Sequence, residues 1–141
     1  MDISLKIALF AMMAQVALTM WSIVSTGAAR TGVLKRKELH IRDIALSTQA
    51  YPDKIKQLQN NMRNQFETPP IFYAAVLLAV ALPVAHWGIA GAAVAYVLLR
   101  FWHRFVHVGS NNVILRFKVF VLGIAALTIM WIELAIAVLR L

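Results

Sequence analysis

Residues Ile7 to Ala29, IALFAMMAQVALTMWSIVSTGAA, run for 23 residues without one charged side chain. A helix needs roughly 20 apolar residues, at about 1.5 Å each, to cross a hydrocarbon core of about 30 Å. This stretch is long enough, and it is not alone. Thr68 to Leu99 gives 32 residues without Asp, Glu, Lys or Arg, interrupted near the middle by Pro83, His86, Trp87 and Gly88. Val119 to Ile132 adds 14, then Glu133, then six apolar residues to Leu139. The predicted fold is all-α, an integral membrane four-helix bundle of up-down topology. Its expected spans lie near 3–28, 64–85, 89–108 and 117–139, within a single membrane-embedded domain over 1–141.

Composition agrees. The 141 residues are 61% hydrophobic and 14% charged, where soluble domains carry about a quarter charged residues. Four spans use most of the length, which leaves no room for a separate soluble domain. Lys6 ahead of an apolar run imitates a signal peptide. The run exceeds the roughly 7–15 residues of a signal's apolar region, and further spans follow, so it is read as a retained span. Cysteine is absent, so disulfides, thiolate metal sites and cysteine nucleophiles are excluded. Any thiol chemistry would use a ligand's thiol.

The net charge of +8 would suggest nucleic acid in a soluble chain. The distribution gives a better account, with no nucleic acid as partner. Arg30, Lys35, Arg36, Lys37, Arg42, Lys54, Lys56 and Arg63 all fall between the first and second spans. Arg100, Arg104, Arg116 and Lys118 flank the turn between the third and fourth, and only Lys6 and Arg140 lie elsewhere. Short Lys- and Arg-rich loops stay cytoplasmic. Both basic connections share that side only if the termini lie on the outer side.

From Pro52 onward Ile55, Leu58, Met62 and Phe66 recur at helical spacing, which predicts an amphipathic helix leading into the second span. Pro69 and Pro70 predict a kink. His86–Trp87–Gly88 reads as a tight outer turn, and Gly109–Ser110–Asn111–Asn112 as the turn before the last span.

Asn60, Arg63, Asn64 and Glu67 are spaced three and four apart and share one helix face. A carboxylate at membrane depth is costly unless paired or solvated, so Glu67 is a candidate site residue. An intrahelical Arg63–Glu67 pair that anchors the helix end is the plainer alternative. Arg100, Arg104 and His107 share a face of the third span. Arg100 stays charged at any accessible pH and needs an anion. Glu67 is the only acidic residue at similar depth, while snorkelling to the head groups is the alternative. His103 and His107 have metal-ligand spacing, but no second pair of ligands accompanies them. Arg116, Lys118 and Arg30 are lipid-phosphate anchors on the plain reading. On the other reading Arg30, Asn64, Glu67, Arg104 and Arg116 converge, and hold a small peptide-like anion by its amine and its carboxylates. Glu133 lies toward the other side, with His86 and Lys6 as structural partners.

The run Arg63-Asn64-Gln65-Phe66-Glu67-Thr68-Pro69-Pro70-Ile71-Phe72 resembles the second-span signature of the membrane-associated proteins in eicosanoid and glutathione metabolism. Asn64-x-x-Glu67 followed by proline is its specific part. Arg100-Phe-Trp-His-Arg104-Phe-Val-His107, with Arg116 beyond, is similar to bacterial members. The resemblance covers essentially the whole chain. It implies a homotrimer that binds glutathione as co-substrate between subunits, open to the cytoplasm and to membrane lipid. Asn64 and Glu67 would hold the peptide, with Arg63, Arg100, Arg104 and His107 around it. Arg30 and Arg116 would act at the thiol, and the acceptor would be a lipophilic small-molecule substrate. Third-span tyrosines of eukaryotic members are matched here by Phe101 and Phe105, which carry no hydroxyl.

Two readings follow. One is a glutathione-dependent transferase or peroxidase acting on lipophilic electrophiles, expected in a bacterial inner membrane. The other is a non-enzymatic membrane protein that binds lipid or a lipophilic ligand on the same trimeric scaffold, motivated by Phe101 and Phe105. A channel or transporter finds little support, because the spans hold few polar residues to line a water-filled path.

Overall fold

The computed structural model describes residues 1–84 and 86–140. Its first helix, α1, spans Ile3–Lys35, and the Asp2 carboxylate caps it by accepting from the Ser4 amide at 2.7 Å. Thirty-three residues rise about 50 Å, well beyond a hydrocarbon core. The helix thus continues past the expected end of the span near Ala28, because no proline interrupts it and lone glycines such as Gly27 and Gly32 only weaken a helix. After a 3-10 turn at Ile41–Ile44 the amphipathic helix α2 covers Asp53–Arg63, with Ile55 and Leu58 buried. Tyr51 and Ile55 join Val33 in a small apolar cluster under the end of α1.

The second crossing is broken, where the sequence suggested only a kink. α2 tightens into a 3-10 turn at Asn64–Phe66, and a new helix, α3, starts at Pro69 and runs to Ala81. Pro69 and Pro70 lack the N–H groups that would bond the carbonyls four residues back, so the ladder opens there. At the first two positions of a helix those missing donors cost nothing. α3 has 13 residues, about 20 Å, too short to cross by itself. Among the described residues three helices are individually long and apolar enough to cross: α1, α4 (Trp87–Val108) and α5 (Val113–Val138). Ala85, the expected end of the second span, lies outside the described residues. The expected outer turn at His86–Gly88 is instead the N-cap and first turn of α4, and the chain reverses at Leu82–Val84.

α4 packs against both α1 and α5, α1 also meets α2 and α3, and α3 touches α5. In lipid, helices associate through close packing and polar contacts, because tails are as apolar as the side chains. Ala8, Ala75, Ala79 and Ala93 are completely buried and allow that approach. Phe72 and Tyr96 stack at 4.7 Å between α3 and α4, and the Tyr96 hydroxyl lies 2.8 Å from Thr68 Oγ1. Phe10, Val24, Leu98, Leu122 and Ile129 point outward. At the end away from the basic loops His86 Nδ1 meets the Glu133 carboxylate at 2.8 Å, joining the start of α4 to α5.

Candidate functional site

The break before Pro69 creates the site. A 3-10 turn winds tighter than an α-helix, yet Glu67 still lines one lobe with Asn60, Arg63 and Asn64, and its side chain is exposed on the flank of the bundle. Asn64 stays beside it. All neighbours of its amide nitrogen are acceptors, which fixes the amide orientation. The nitrogen donates to Asn60 O at 3.3 Å and to both Glu67 carboxylate oxygens at 3.1 and 3.3 Å.

Arg116 arrives from α5, and the preceding turn aims it. Asn111 adopts a left-handed backbone, φ 50°, which asparagine tolerates better than most residues. Asn112 caps α5 by accepting from the Leu115 amide at 3.0 Å. Asn111 Oδ1 then accepts from Arg116 Nη1 at 2.7 Å. The same nitrogen lies 3.4 Å from His107 Nε2 on α4. Arginine can only donate, so His107 Nε2 accepts; this leaves the ring's proton on Nδ1 even though that nitrogen is buried without a partner among the described residues.

Asn64, Glu67 and Arg116 line both lobes of one cleft. The outer lobe, about 240 Å³, adds Asn60, Arg63 and His107. The inner lobe, about 250 Å³, adds His103, Val113, Phe117 and Phe120. His103 lies one turn further from the basic end than His107, about 6 Å along α4. The cleft is therefore polar at its mouth and mixed further in, where Val113, Phe117 and Phe120 bring apolar surface beside His103. Two guanidinium groups, Arg63 and Arg116, face one carboxylate, Glu67, so the balance favours an anion, and low-dielectric walls strengthen that field.

The other predicted residues lie elsewhere. Arg100, expected to pair with Glu67, turns its Nη2 to Asn64 O at 2.6 Å and Gln65 Oε1 at 3.2 Å. The break supplies the partner: the Asn64 carbonyl at the 3-10 turn is open to a donor from α4. Arg100 holds the hinge from behind. No ion pair joins Glu67 to Arg100, Arg63 or Arg116 among the described residues. Arg104, expected to join the convergent set, is buried between α1, α2 and α4. It donates to Ser22 Oγ at 2.8 Å, Asn61 Oδ1 at 2.6 Å and Ser25 Oγ at 2.9 Å, with its guanidinium 4.2 Å from the Trp21 ring centre. Arg30 bonds the Tyr51 hydroxyl at 3.1 Å and lies over that ring, and it lines neither lobe. The structure of one chain thus brings together Asn64, Glu67, Arg63, His107 and Arg116, and leaves Arg30, Arg100 and Arg104 outside.

Phe101 and Phe105, matched by the resemblance to third-span tyrosines of eukaryotic members, do not line the cleft of a single chain. Phe105 is exposed and lies edge-on to Trp21 of α1. The α4 side chains that line the cleft are His103 and His107. Sequence reasoning also missed three polar supports. Gln15 bonds Gln65 at 3.0 Å across to α1, and a lone glutamine amid apolar residues was its signal. Gln65 receives Arg100. Asn111 sets Arg116, and its place in the Gly-Ser-Asn-Asn turn was visible without its partner.

Neither the curated proteins nor the solved structures yield a match. A family model does, over residues 8–136, nearly all of the chain and inclusive of every residue that lines the cleft. With that match and its membrane-crossing helices, this chain belongs to the MAPEG family.

Proposed function

We propose that the protein is a glutathione-dependent transferase or peroxidase acting on lipophilic electrophiles, as a homotrimer in a bacterial inner membrane with the basic loops cytoplasmic. The observation that carries this reading is the Asn64–Glu67–Arg116 cleft. Its carboxylate suits the peptide's amine, and Arg63 at the mouth suits a peptide carboxylate, since a guanidinium fork matches carboxylate geometry. A peptide seated at the polar mouth would direct its thiol toward the inner lobe. There Phe117, exposed on the flank of α5, borders the path by which an electrophile dissolved in lipid would enter. The cleft is open along the side of a single bundle, and a neighbouring copy of the chain would close it. Arg116 beside the sulfur would favour the thiolate, because a nearby positive charge lowers a thiol pKa. The thiolate would then attack the electrophile's carbon while its leaving group departs with the bonding pair. Phe101 and Phe105, which motivated the non-enzymatic reading, lie off the cleft.

Calorimetric titration of detergent-solubilised protein with glutathione tests the proposal. Binding that weakens at least about ten-fold in Glu67→Gln, the scale of one lost charge-assisted contact, supports it. Absence of heat at millimolar glutathione, with Glu67→Gln indistinguishable from the unaltered protein, refutes it.

A further inference from the structure

We infer that His103 is the side chain that hydrogen-bonds the reacting sulfur and holds it as thiolate, an inference that rests on the glutathione reading above. Three of the residues lining the inner lobe belong equally to the mouth. Of the four that belong to it alone, Val113, Phe117 and Phe120 are apolar and His103 is polar. A thiol placed where a lipophilic partner can reach it therefore meets one polar side chain besides the shared three. His103 is 2% exposed, and its ring lies 5.9 Å from Phe120 and 5.6 Å from His107, centre to centre.

The tautomer follows from its surroundings. His103 Nδ1 is buried without a partner. An orphaned buried N–H is costlier than an orphaned acceptor, so the proton belongs on Nε2. Nε2 makes no hydrogen bond among the described residues, and the ring lines the lobe, so this N–H is the one left to donate to a ligand there. His107 has the opposite assignment, because Arg116 donates to its Nε2. His103 is therefore a neutral donor beside the apolar residues of the lobe, and Arg116, which lines the same lobe, supplies the charge. When glutathione's S–H bond breaks, its proton leaves to water through the polar mouth and the electron pair stays on sulfur. The His103 N–H then accompanies Arg116 in stabilising that pair. A donor aimed where charge develops acts without reorganising. As a neutral imidazole it adds this stabilisation without a second buried positive charge beside Arg116.

The test uses His103→Phe, which keeps a ring of similar size and removes the donor, and His103→Gln, which keeps an N–H. Glutathione binding is measured by calorimetry, and ionisation of the bound thiol by ultraviolet difference absorbance against pH. The expected result is near-unaltered affinity for glutathione at low pH, where the thiol is protonated in every protein. The ionisation midpoint rises by about one pH unit in His103→Phe, a ten-fold loss of thiolate stability, and by less in His103→Gln. A merely structural role would not shift that midpoint. If both variants bind glutathione and ionise it at the unaltered pH, His103 has no such role while the glutathione reading stands. If the unaltered protein takes up no glutathione, that reading fails and the inference fails with it.

Discussion

Asn111 offers a way to loosen Arg116 without touching the cleft. Its side chain accepts from Arg116 Nη1 at 2.7 Å, and its backbone sits at φ 50°. Replacement by glycine removes the acceptor and keeps the backbone unstrained, since glycine enters this region freely. Replacement by alanine removes the same acceptor and adds the strain of a left-handed Cβ, about 1–2 kcal/mol. A hydrogen bond to a charged group contributes about 1.5–3 kcal/mol. Arg116 is only half-buried and keeps His107, so about 1 kcal/mol is the fitting figure, or roughly five-fold in an equilibrium constant. Asn111→Gly should therefore weaken glutathione binding about five-fold and leave thermal unfolding in detergent nearly unchanged. Asn111→Ala should weaken binding by at least as much and also lower the unfolding temperature by about 3–6 °C. The measurements are calorimetric titration and a thermal melt followed by circular dichroism. Unaltered binding in Asn111→Gly would refute the argument that this turn aims Arg116 at the ligand. Equal melts for the glycine and alanine variants would refute the strain argument alone.

Arg104→Met should separate scaffold from site. It removes three hydrogen bonds between α4, α1 and α2 and strands Asn61, which is fully buried. A loss of about 2–3 kcal/mol in denaturant or thermal unfolding is expected, with glutathione affinity within two-fold for protein that remains folded. A loss of affinity without a loss of stability would return Arg104 to the binding set. At the opposite end, a Cβ on Gly88 would approach the Glu133 carboxyl to 2.6 Å, so Gly88→Ala should displace the carboxylate from His86. Glu133→Gln weakens the same pair, which is partly exposed and contributes about 0.5–1 kcal/mol. The double variant should then be no less stable than the worse single one, and additive losses in a double-mutant cycle would refute the shared cause.

Much of the fold was legible because membrane solvent leaves few options. Long uncharged stretches must be helices there, since every backbone polar group needs an internal partner. The amphipathic α2 was legible from spacing, because one of its faces meets water. The break at Asn64–Phe66 was legible only as a kink: prolines state which donors are missing, and not whether the helix bends or restarts. The site was legible in part. The Asn64–Glu67 spacing survives as a contact even though the helix that suggested it does not continue through Glu67.

Sequence alone determined that this chain crosses a membrane, where its basic charges cluster, and that Asn64 and Glu67 lie side by side. Tertiary structure decided which cations reach them. Arg116 and Arg63 line the cleft with them, while Arg100 and Arg104 make their hydrogen bonds inside the bundle, and His103 and His107 of α4 line the cleft as well. The physical reason is rotational. Spacing fixes which residues share a face of one helix, but the direction of that face is set by packing against neighbouring helices. In spans that are apolar nearly all the way round, hydrophobic periodicity does not encode that direction.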